Sequence, residues 1–81
     1  MRIFDQSNDR TLANCVIYFT QNEAKEMSDS INQLLNSQNK VGLHYHINDD
    51  IYKHEITICI YDEKSLVGFN ERSIKVITED K

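Results

Sequence analysis

Apolar positions along this chain change period several times, and each change marks an element. Met1-Arg-Ile-Phe-Asp5 reads as a short opening strand. Gln6-Ser-Asn-Asp9 follows as a turn, because Asn and Asp bond their own backbone and tolerate left-handed geometry. From Thr11 to Thr20 the chain carries Leu12, Cys15, Val16, Ile17, Tyr18 and Phe19, a strand pattern that pairs with the first run as a hairpin. Thr20-Gln-Asn-Glu23 is then a capping box, with the Thr hydroxyl and the Glu carboxylate satisfying each other's backbone donors. Behind it Ala24, Met27, Ile31, Leu34 and Leu35 fall on one face of a helix that runs to about Ser37 and ends in Asn36-Ser-Gln-Asn39.

Period two returns after the helix. Val41, Leu43, Tyr45 and Ile47 alternate with Gly42, His44, His46 and Asn48, and Ile56, Ile58 and Ile60 alternate with Glu55, Thr57, Cys59 and Tyr61. A turn centred on Asn48-Asp49-Asp50 predicts a hairpin in which Leu43 faces Ile56, Tyr45 faces His54 and Val41 faces Ile58. The same register sets His44 opposite Glu55 and His46 opposite Lys53 on the other face. Asp62-Glu-Lys-Ser65 is a loop. The tail has two readings: a short helix capped by Asn70 with Ile74 and Ile77 on one face, or an edge strand suggested by β-branched Ile74, Val76, Ile77 and Thr78. Glu79-Asp80 sits poorly at a helix C-terminus. The predicted fold is α+β over residues 1–81 as a single small domain: one amphipathic helix on a four-stranded antiparallel sheet, ββαββ, plus the C-terminal helix or edge strand.

Composition narrows function by exclusion. A folded chain of 9.5 kDa keeps roughly 5,000 Å² of surface against roughly 14,000 Å² when extended, room for one small core. Net charge is −4, with four Lys/Arg against five Asp/Glu in residues 1–40 and five against eight in residues 41–81. No segment gathers basic residues, so no nucleic-acid partner is expected. No apolar run approaches the roughly 20 residues of a membrane span, and the opening residues lack an apolar signal core, which points to the cytoplasm and to no membrane partner.

The reactive side chains offer little. Cys15 and Cys59 lie among β-branched residues and read as small buried hydrophobes. His44-x-His46 puts two imidazoles on one strand face, and Glu55 would stand beside them as a third metal ligand. The competing reading is a polar, solvent-facing strip, with His54 on the opposite face. The expected register keeps Thr57 between the Cys59 and Glu55 positions, so no Cys–His pair forms. There is no glycine-rich phosphate loop and no G-x-S-x-G. The expectation is no enzyme and no cofactor.

Val16-Ile-Tyr-Phe-Thr20 leading into Glu23-Ala-Lys-Glu26, Leu34-Leu35, the His44-x-His46 strand and Glu55-Ile-Thr-Ile-Cys-Ile-Tyr61 together give a chain that loosely resembles small uncharacterised proteins of low-GC Gram-positive bacteria and their phages. That resemblance covers roughly residues 14–61 and implies a regulator or inhibitor of a larger protein.

One pattern points the same way from the residues themselves. The second strand is apolar on both faces, with Cys15, Ile17 and Phe19 on one and Val16 and Tyr18 on the other. A single helix covers only one face of a sheet. Val16, Tyr18, His44, His46, Cys59 and Tyr61 are therefore the expected interface residues, for a protein partner or a homodimer. The rival reading is a metal- or small-molecule-binding protein using His44, His46 and Glu55.

Overall fold

The computed structural model describes residues 1–37 and 43–81. The elements are β1 (Phe4–Asp5), β2 (Arg10–Thr11), α1 (Gln21–Asn36), β3 (His44–Asn48), β4 (Glu55–Cys59) and α2 (Glu71–Glu79). They divide between two compact units, one formed by Met1–Tyr18 with Gly68–Lys81 and the other by Phe19–Val67.

In the first unit, β1 and β2 pair antiparallel with Phe4 opposite Thr11 and Asp5 opposite Arg10. The turn forms where the sequence places it. Asp5 Oδ1 accepts from the amides of Ser7 at 3.0 Å and Asn8 at 3.3 Å, and Asp9 closes the turn at φ 54°. The tail resolves to a helix. Asn70 caps α2 by accepting from the Ser73 amide at 2.8 Å, and Val76 is buried. The conflict at the helix end is relieved by a distant residue. Arg2 Nε donates to the carbonyls of Val76 and Ile77, both at 3.2 Å, and lies 3.7 Å from Asp80. A guanidinium over the last carbonyls supplies the positive charge that Glu79-Asp80 lacks. Arg72 is 2.9 Å from Asp9 and stacks over Phe4, 5.5 Å from the ring centre.

In the second unit, α1 packs on the β3–β4 hairpin. The capping box forms as read: the Glu23 amide donates to Thr20 Oγ1 at 3.2 Å, and the Thr20 amide donates to Glu23 Oε1 at 2.8 Å. The buried face is narrower than the apolar pattern. Leu34 is 3% exposed and Met27 is half-buried, whereas Ile31 and Leu35 are exposed. Among the described residues the hairpin under α1 has two strands, too little surface to cover the whole apolar stripe.

Two further expectations are corrected. Hydrogen bonding among the described residues joins β1 to β2 and β3 to β4, giving two two-stranded sheets in place of a four-stranded one. The strand expected over Thr11–Thr20 contracts to Arg10–Thr11; Leu12 still donates to the Ile3 carbonyl at 2.8 Å, and residues 14–20 lie outside regular structure. Strand propensity reflects fit to a pleated, half-buried surface, so without a neighbouring strand it does not make one.

The second hairpin is shifted by four residues from the expected register. Tyr45 faces Ile58, Ile47 faces Ile56, His46 faces Thr57, His44 faces Cys59 and Asn48 faces Glu55. The cause is a wider loop. Asp49 Oδ1 accepts from the amides of Lys53 at 2.8 Å and His54 at 3.2 Å, which moves the turn beyond Asn48-Asp49-Asp50. An even shift preserves facing, so Tyr45, Ile47, Ile56 and Ile58 still point one way. The expected Val41–Ile58 pairing and the Gln38-Asn39 helix stop lie outside the described residues.

Candidate functional site

Each unit carries its own candidate surface. In the first, Val16 is 76% and Tyr18 90% exposed, and Ile17 and Cys15 are exposed beside them. Among the described residues, 13–19 pair with no strand. They lie inside Thr11–Asn22, the longest uncharged run of the chain.

In the second unit, His44, His46, Glu55, Thr57 and Cys59 share the hairpin face away from Ile47. The register shift rearranges this strip. Glu55 does not face His44; it reaches diagonally to His46, with Oε1 2.7 Å from Nδ1. Thr57 Oγ1 approaches the same nitrogen at 2.9 Å. His46 Nδ1 is therefore engaged within the strip. The His44 and His46 rings meet edge to face with centroids 5.0 Å apart. Among the described residues no group of three or more His, Cys, Asp or Glu side chains is placed to hold a metal ion. Tyr61 is half-buried.

Both cysteines are exposed and free, contrary to the buried pair expected. Cys15 sits on the unpaired segment, and Cys59 lies on the histidine-bearing face. The shift also sets Cys59 opposite His44, a neighbour the expected register denied it. Partial burial pushes the Cys59 thiol up, away from the thiolate that nucleophilic chemistry needs.

The loop between β3 and β4 presents a surface that the pattern did not reveal. Ile51 is 73% and Tyr52 81% exposed at its tip, with Tyr52 in the left-handed region at φ 52°. Asp49 anchors the loop. It accepts from the two amides already described, its carbonyl accepts from the Tyr52 amide at 3.0 Å, and its Oδ2 lies 2.6 Å from His54 Nδ1. The Asp49 carboxyl is held below its ordinary value of 3.8, chiefly by the His54 side chain and secondarily by the loop amides. Asn48-Asp49-Asp50 did signal a turn, but without Gly nothing signalled its width.

No helix among the described residues is long and apolar enough to cross a membrane. No family model, no curated protein and no solved structure matches the chain.

Proposed function

We propose that this protein is a non-catalytic interaction module, a cytoplasmic regulator or inhibitor of a larger protein of the kind found in phages and mobile elements. The observation that carries the reading is the exposure of Val16 and Tyr18, 76% and 90%, on a segment with strand-forming sequence and, among the described residues, no strand paired with it. Unpaired backbone next to apolar side chains is what strand addition uses: main-chain bonds supply affinity, and alternate side chains supply selectivity. On this reading the strand expected over 11–20 forms against a partner. The test is affinity capture from the source cells with wild type and Tyr18→Lys, compared at equal thermal stability. Loss of the same captured protein in the variant supports the reading; equal recovery contradicts it.

The second reading, a metal- or small-molecule-binding protein, draws on the 5.0 Å contact of His44 and His46 with Glu55 close by. Two imidazoles and one carboxylate fall one ligand short of a closed zinc site. Calorimetric titration with zinc separates the readings. Sub-micromolar affinity that His46→Ala removes favours the metal.

A further inference from the structure

We infer that residues 14–19 pair antiparallel with the same residues of a second copy of this chain. The inference rests on the interaction reading and names its partner. Two observations, self-complementarity and charge, favour a copy over another protein, and a third leaves the backbone available for the pairing.

The segment is complementary to itself. With Ile17 opposite Ile17 of the second copy on the two-fold axis, Val16 meets Tyr18 and Cys15 meets Phe19, and each of these two off-axis pairs occurs twice. Val16 and Tyr18 make a β-branched–aromatic pair of the kind that stabilises antiparallel strands. They are also the two most exposed large apolar residues of the segment, so pairing buries the side chains most in need of cover.

Charge points the same way. Two copies of a chain carrying −4 repel each other over most of their surface. Thr11–Asn22 has no charged residue, so contact there brings no like charges together. The backbone is also available. Past the Leu12 amide, which donates to Ile3, the segment makes no strand hydrogen bond among the described residues.

Sedimentation equilibrium of the purified full chain tests this with three proteins: wild type, Val16→Glu and Tyr18→Lys. Wild type should be dimeric at micromolar concentration and each variant monomeric, with unchanged helical circular dichroism showing that the fold persists. Mixing the two variants should restore a dimer, because the pairing sets the new Glu against the new Lys across the interface while the second Val16–Tyr18 contact stays native. A monomeric wild type overturns the inference, as does a dimer that survives Tyr18→Lys. A mixture that stays monomeric overturns the antiparallel pairing and the inference with it. If wild type is monomeric and yet captures a protein through Tyr18, self-pairing fails and the interaction reading stands.

Discussion

Tyr52 holds a backbone conformation that disfavours a bulky aromatic residue. Two other non-glycine residues described at positive φ, Asp9 and Asp80, occupy a turn and a helix end where Asp is tolerated. A side chain like that of Tyr52 in the left-handed region costs about 1–3 kcal/mol, which the Asp49 contacts must offset. Tyr52→Asn should therefore raise stability by about 1 kcal/mol, read as a higher melting midpoint. A lowered midpoint would show that the Tyr52 ring contributes packing that outweighs the strain. Asp49 itself makes stability pH-dependent. Its folded value lies below the ordinary 3.8, so its contribution is complete above that value and is lost as pH falls through the lowered one. Asp49→Asn should flatten part of the acid limb of melting temperature against pH. An acid limb identical to wild type would remove Asp49 from the account. None of this was legible beforehand, because the pattern marked a turn at Asp49 without showing that its carboxylate gathers amides four and five residues on.

Helices were the most legible elements, since their signals are local. Thr20 and Glu23 stand three apart and cap each other as read, and Asn70 caps α2 by the same logic. The tail stayed ambiguous because its C-terminal support comes from Arg2, 74 residues from the Val76 carbonyl it meets. Strand pairing was legible in facing but not in register. The alternation fixed which side chains share a side, while the loop hydrogen bonds chose among registers that all satisfy it. The apolar stripe of α1 is wider than the face it buries. Leu34 is buried, but Ile31 is 41% exposed although both sit on the apolar stripe. Leu34→Ala should cost about 2–5 kcal/mol, and Ile31→Ala, which leaves no closed cavity, about 1 kcal/mol or less. Denaturant unfolding measures both, and equal losses would contradict the narrow contact. Thr20→Ala should cost about 1 kcal/mol by the same measurement.

At the scale of the whole molecule, the described residues bury three hydrophobic side chains, Leu34, Ile47 and Val76, while Val16, Tyr18, Ile51, Tyr52 and Val67 are exposed. The sequence pattern did single out Val16 and Tyr18, because a strand apolar on both faces needs cover twice. It assigned one of those covers to the helix packed on a four-stranded sheet, which required strand pairings that no local signal encodes. The grouping of residues 1–18 with 68–81 was invisible for the same reason. What unites these findings is a segment with the composition of a central strand and, among the described residues, no strand paired with it. Amide hydrogen exchange of residues 14–19, followed residue by residue in dilute and concentrated protein, tests that claim most directly. The account predicts exchange near the free-chain rate when dilute and slowing of every second amide when concentrated, since antiparallel pairing engages alternate residues. Exchange rates in α1 should stay constant between the two conditions. Protection of residues 14–19 already complete in dilute monomer would contradict the account, as would rates that do not change with concentration.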